Sequence, residues 1–271
     1  MSMTLEESTI YIQNKINKTK PDFGILLLGI QFNQLVKEIK KPICISYKEI
    51  PNFSNLYGEL IFGEIEEKKV VFLIEPFFSY EYEEKIKDPP YFPIVVCKNI
   101  GIDKLILINI SGGVNPNYKM GDVMLVKDHI NFFPDKYSSF LKKNSFFVGI
   151  TEEETYDKKM LEIAENIAMN HNIIIQKGVY VAFPYPNYKT PAEYAMIRSM
   201  GGDCVGMNNI ISYVIAARYM NLRVFSISII TMGGLSNIKK KDYYFDSIFQ
   251  ESEKSISILI LIVKEFIKLC F

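Results

Sequence analysis

The chain has 271 residues, with 31 Lys and Arg balanced by 31 Asp and Glu, and a hydrophobic share of 48%. That share excludes a disordered chain, and zero net charge without a basic cluster argues against bulk binding of nucleic acid. The four cysteines, Cys44, Cys97, Cys204 and Cys270, form no CxxC or Cys/His spacing, which predicts reduced thiols in a cytoplasmic setting and no structural zinc.

Met1 to Lys20 is polar and amphipathic and lacks the apolar core of a signal segment. Leu5, Thr9, Ile12 and Ile16 recur at helical spacing, predicting a helix that ends before Pro21. Phe23 to Leu28 is an apolar run of the kind buried on both faces of a sheet. Gln34 to Lys40 reads as a short helix. Gly58 to Ile65 and Lys69 to Ile74 read as a hairpin about Glu66-Glu67-Lys68.

Pro93 to Ile100 predicts a helix and Lys104 to Asn109 a buried strand, after which Ser111-Gly112-Gly113 reads as a turn. A strand over Asp122 to Val126, an amphipathic helix over Tyr156 to His171 and a strand over Ile174 to Phe183 follow. Thr190, Pro191 and Glu193 then supply a cap, a first helical proline and a capping-box carboxylate. Asp203 to Met207 reads as a strand, Asn209 to Met220 as a helix, Arg223 to Thr231 as a long strand and Ser247 to Leu269 as a closing helix. Within that last helix, Ile256 to Val263 is too short for a membrane span, which needs roughly 20 apolar residues.

Strands alternating with helices, with no repeat or linker, predict one α/β domain over residues 1–271 around a mixed sheet. Sites in such sheets lie beyond the carboxyl ends of strands, which points to the loops after Leu28, Asn109, Phe183, Met207 and Thr231. GxGxxG, GxxxxGK[ST] and GxSxG are all absent, arguing against dinucleotide, P-loop and serine-hydrolase chemistry. The glycines of Asn109-Ile110-Ser111-Gly112-Gly113 suit either an ordinary turn or backbone N–H groups converging on an anion.

Five segments appear in order: Glu49 to Phe53 (EIPNF), Asn109 to Pro116 (NISGGVNP), Gly121 to Phe133 (GDVMLVKDHINFF), Pro186 to Glu193 (PNYKTPAE) and Gly201 to Met207 (GGDCVGM). Together they resemble the trimeric class of purine nucleoside phosphorylases, which includes methylthioadenosine phosphorylases. The likeness runs from about Phe23 to the closing helix. It implies a nucleoside-phosphorylase fold, a mixed central sheet forming a distorted barrel flanked by helices, in a cytoplasmic homotrimer without nucleic-acid or membrane partners. The implied reaction is phosphorolysis of a purine nucleoside, with phosphate as co-substrate and no cofactor.

Carried over by position, the resemblance implies that Tyr80 contacts the sugar, with Glu81 following it. It also implies that Asn109 with the Ser111-Gly112 turn forms a loop whose backbone, at Ile110, contacts phosphate and which lines the base pocket. Tyr188 stands where the family stacks an aromatic ring on the purine. Val205, Gly206 and Met207 match the segment against base and sugar, although Val205 and Met207 suit a core equally. Other positions depart from the pattern. Ile30 replaces a phosphate-binding Ser or Thr, and a Gly-His pair falls in a deletion between Phe53 and Gly58. Pro76-Phe77-Phe78 replaces Arg-Phe-His, and Asn208 replaces a Ser that binds phosphate. Lys189 replaces a base-binding Glu, Met232 an Asn or Asp that bonds the leaving base, and Phe245 a His near the sugar.

Every cation or imidazole expected at the phosphate is thus replaced, and Met232 has no proton to donate to the departing purine. One such donor is worth ~10²–10³ in rate. The substitutions leave two readings open: an impaired phosphorylase, or a lapsed paralogue that keeps the fold and binds a purine or a partner subunit. A water-using nucleosidase lacks a candidate base, since His129 reads as structural and His171 as an exposed helix-end residue.

Overall fold

Strand β1 (Phe23–Leu28) is apolar throughout and buried along its whole length, and it stands between two parallel partners, β4 (Lys68–Glu75) and β5 (Lys104–Gly113). The structure is a computed structural model that describes residues 3–28, 32–53, 58–75, 91–133, 155–184, 190–207, 210–232 and 245–270. The remaining strands are β2 (Lys40–Ser46), β3 (Glu59–Ile65), β6 (Val123–Asn131), β7 (Gln176–Ala182), β8 (Cys204–Gly206) and β9 (Arg223–Met232). They form one 9-stranded sheet in the order β2-β3-β4-β1-β5-β8-β7-β6-β9. A further β5–β9 pairing closes β5, β8, β7, β6 and β9 into a barrel, and the other four strands extend from it as an open wing. Both the mixed sheet and its distorted barrel agree with the sequence expectation.

Around the sheet lie α1 (Met3–Lys15), α2 (Asn33–Val36), α3 (Phe92–Ile100), α4 (Lys158–Asn170), α5 (Pro191–Ser199), α6 (Ile210–Tyr219) and α7 (Phe245–Leu269). In α1 the predicted stripe is buried at Leu5, Thr9 and Ile12, and Ile16 just beyond the helix is buried as well. The Thr190 cap and Glu193 make the reciprocal capping box that starts α5. The closing helix buries Leu259, Ile262, Val263 and Phe266. The Phe266 ring stacks on Phe225 of β9 at 4.8 Å and meets Phe23 of β1 edge-on at 6.4 Å. Among the described residues, no helix is long and apolar enough to cross a membrane.

Three expectations are corrected. The helix read over Gln34 to Lys40 is a four-residue turn, α2, and Lys40 already opens β2. That strand was not anticipated because it is a sheet edge: its first five residues, Pro42 among them, are exposed, so no apolar alternation marks it. Lys68 belongs to β4, and the hairpin turns on Glu66 and Glu67 alone, both at positive φ (47° and 63°), as a two-residue turn with inverted φ requires. Finally, Ser111-Gly112-Gly113 is strand, not turn. The β5–β9 register shifts between Ser111 and Gly112, where β5 takes up antiparallel β8 through Gly112↔Val205 and Gly113↔Cys204. Small residues let one strand bend between two partners and close the barrel.

Candidate active site

Strands β4, β1, β5 and β9 run parallel, so their carboxyl ends come together. Glu75 pairs with Leu28, Leu27 with Ile108, and Asn109 with Ser228. Glu75, Leu28, Asn109 and Ser228 therefore form one row across neighbouring strands; β4 and β1 end there, whereas β5 runs on to Gly113 and β9 to Met232, so the loop expected after Asn109 is strand.

In the barrel, successive residues alternate between inside and outside. Val181 of β7 and Val205 of β8 pack with Val114 and with Tyr194 and Ile197 of α5, which lies outside the barrel. The alternate set, Asn109, Ser111, Tyr180, Cys204 and Ser228, therefore points inward, and all five residues are buried. They bond to one another. Ser111 Oγ and Ser228 Oγ are 2.7 Å apart, and Thr231 Oγ1 donates to the Ser111 carbonyl at 3.1 Å. The Cys204 thiol bonds to the Ser111 side chain and the Tyr180 phenol to that of Asn109. Burial pushes the Cys204 thiol up to about 12 and Tyr180 well above its ordinary value. Both stay protonated at neutral pH, so this lining offers hydrogen bonds and no charge.

Of the expected site residues, Ile110 is half-buried on β5 opposite Ile229. Val205 belongs to the apolar cluster under α5, and Met207 is half-buried just past β8. Gly206 is dictated by packing: a Cβ there would lie 1.8 Å from the Tyr180 hydroxyl. The glycine brings the β8 backbone against the ring that bonds Asn109. Tyr80, Glu81, Phe78, Tyr188, Lys189, Asn208 and Ile30 lie outside the described residues, as do the side chains of Met232 and Phe245.

Asp203 ties two of the recognised segments together. Its carboxylate accepts from Val179 N–H and from Asn115 Nδ2, each at 2.8 Å, and its carbonyl accepts from Val114 and Asn115 N–H. His129, from the DHIN run, places Nδ1 3.1 Å from the Tyr156 hydroxyl with the rings edge to face. Burial lowers its pKa, and the nearby Asp128 charge opposes that shift. His171 caps the end of α4 and is exposed.

One group was missed at the sequence level. Glu75 ends β4 and is 3% exposed. The Tyr47 hydroxyl donates to its Oε1 at 3.3 Å, and the Tyr213 hydroxyl, from the first turns of α6, donates to Oε2. Tyr47 belongs to a 3-10 turn (Tyr47–Glu49) that leads into the EIPNF segment. Its ring packs edge-on against Phe53, which does the same against Phe92. Burial and the Glu75 charge hold the Tyr47 phenol well above its usual range, so it remains a donor. The available signal was a lone carboxylate closing the apolar run VVFLIE. A buried carboxylate is tolerated only where donors satisfy it.

Comparison with known proteins places this arrangement. The sequence pattern of the Phosphorylase superfamily matches residues 25–268. Purine nucleoside phosphorylase 1 of Geobacillus stearothermophilus is 33% identical over 272 residues, covering 97% of this chain and 96% of that one. The structure of Schistosoma mansoni purine nucleoside phosphorylase in complex with adenosine superposes with a TM-score of 0.81 at 28% identity, over 98% of this chain and 97% of that one. A purine nucleoside phosphorylase in complex with ribose-1-phosphate superposes at 0.76 with 29% identity, over 96% of this chain and 95% of that one. A match over nearly the whole chain, on a sheet with the same closed barrel, assigns the protein: it belongs to the phosphorylase superfamily, in its purine nucleoside phosphorylase family.

Proposed function

We propose that the protein catalyses phosphorolysis of purine (deoxy)ribonucleosides to free base and pentose 1-phosphate, at a rate reduced by its substitutions. Phosphate is the co-substrate, no cofactor takes part, and the working assembly is a cytoplasmic homotrimer of one-domain chains. The observation that carries this reading is the similarity over 97% of the chain to a named phosphorylase. Relatives bound to adenosine and to ribose-1-phosphate support the two halves of the substrate.

In this reaction a phosphate oxygen attacks the anomeric carbon as the bond to the purine nitrogen breaks. The sugar passes through an oxocarbenium-like state and the purine takes the electron pair. Rate then depends on gripping the dianion and on stabilising the charge that develops on the base. The positions for both tasks carry Ile30, Pro76-Phe77-Phe78 and Met232, none of which has a side chain able to donate a proton to phosphate or purine. Asn208 retains an amide and Lys189 a cation, which favours a base presenting acceptors at that edge.

The test is release of base from inosine and guanosine by the purified chain, with and without phosphate. Phosphate-dependent formation of pentose 1-phosphate supports the reading. Zero turnover with retained purine binding, read by thermal shift, supports a binding paralogue instead, which the same substitutions favour.

A further inference from the structure

We propose that Ser111 is a positioning residue of this site: its hydrogen bonds inside the barrel lock the ends of β5, β8 and β9 in the register that presents the purine-flanking positions. The inference rests on the phosphorylase reading above and concerns the purine end of the same pocket.

Register is the first ground. Ser111 pairs with Ile230 and Gly112 with Met232, so Thr231 is an extra residue on β9, a bulge in a parallel pair. Bulges are rare between parallel strands, and they gather next to active sites, where they re-aim a side chain or end a pairing. Gly112 also pairs with Val205 of β8. It thus stands between Val205 and Met232, two positions that the resemblance sets against the purine. Ile110, whose backbone is expected to line the site, precedes Ser111 on β5. The strand ends that flank the base are therefore joined around one residue.

Bonding is the second ground. Ser111 is buried, and it ties all of these strands together. Its hydroxyl shares a 2.7 Å bond with Ser228 Oγ of β9 and a second bond with the Cys204 thiol of β8. Its carbonyl accepts from Oγ1 of the bulged Thr231 at 3.1 Å. With Cys204 donating to Ser111 and Ser111 to Ser228, or the reverse, the Ser111 proton is engaged within the barrel. The residue therefore acts on the site through the backbone to either side of it. Without that hydroxyl, Ser228 and Cys204 lose their shared partner in a buried setting, and β8 and β9 lose the link that runs through β5.

The experiment measures hypoxanthine binding to the full chain by calorimetry, with Tm recorded for each variant. Ser111→Ala deletes the hydroxyl with little change of volume. It is expected to bind hypoxanthine about ten-fold more weakly than the wild type, the order of one buried hydrogen bond. Ser228→Ala removes the same bond from β9 and is expected to match it. The double variant is expected to bind within about two-fold of either single one, because partners in one bond are not additive. A loss of less than about three-fold in Ser111→Ala overturns the inference whatever its Tm, since a merely structural role lowers Tm and leaves affinity alone. Losses that multiply in the double variant overturn it as well, because the two hydroxyls then act independently. Hypoxanthine binding by the wild type supports the phosphorylase reading whichever way the variants fall. A wild type that binds none overturns that reading and the inference together. Should Ser111→Ala fail to fold, Ser228→Ala decides at the same three-fold threshold.

Discussion

Gly206 shows how one position is dictated by its neighbour rather than by its own conformation. A methyl at residue 206 meets the Tyr180 hydroxyl at 1.8 Å and the ring carbon bearing it at 2.5 Å. Gly206→Ala is expected to destabilise the protein by about 1–3 kcal/mol, the usual range for overpacking a core. Adding Tyr180→Phe removes only the nearer clash, so denaturant unfolding should show partial recovery. His129 gives a pH signature. Its folded pKa lies below the ordinary value near 6.5 because burial disfavours the imidazolium. On acidification the unfolded chain takes up the proton first, so this contribution is full above about pH 6.5 and is lost as pH falls through the lower folded value. His129→Gln should therefore flatten the acid side of the Tm–pH profile, and an unaltered profile contradicts the assignment.

At the scale of elements, what was legible in the sequence was what burial writes into it. β1 and β9 read as strands because apolar runs of that length suit a sheet covered on both faces. Helix α5 read correctly because its cap chemistry is local, with Thr190 and Glu193 three residues apart. β2 was not readable because an exposed edge carries no period. The Ser111-Gly112-Gly113 strand was misread because its partner β8 lies about ninety residues on, so only tertiary pairing shows that the glycines extend β5. Distance also hid the Glu75 cluster, whose phenols are 28 and 138 residues away in the chain. The closing helix makes the clearest packing prediction. Phe266 bridges β9 and β1, so Phe266→Ala should cost about 3–5 kcal/mol in denaturant unfolding.

For the whole molecule, fold and family follow from similarity over nearly the full chain, while the proposed slow turnover rests on the substituted phosphate- and base-binding positions. The barrel lining contributes neutral hydrogen-bonding groups at Asn109, Ser111, Tyr180 and Ser228. The charged groups expected to grip phosphate are substituted in the sequence. Such a site should release purine slowly and only in the presence of phosphate. The most direct measurement is the initial rate of hypoxanthine release from inosine at saturating phosphate, set beside that of a relative such as the Geobacillus stearothermophilus enzyme. The account predicts phosphate-dependent release at least ~10²-fold slower than the relative's, the loss of one transition-state donor. Release at the relative's full rate, or release that proceeds equally without phosphate, would contradict it.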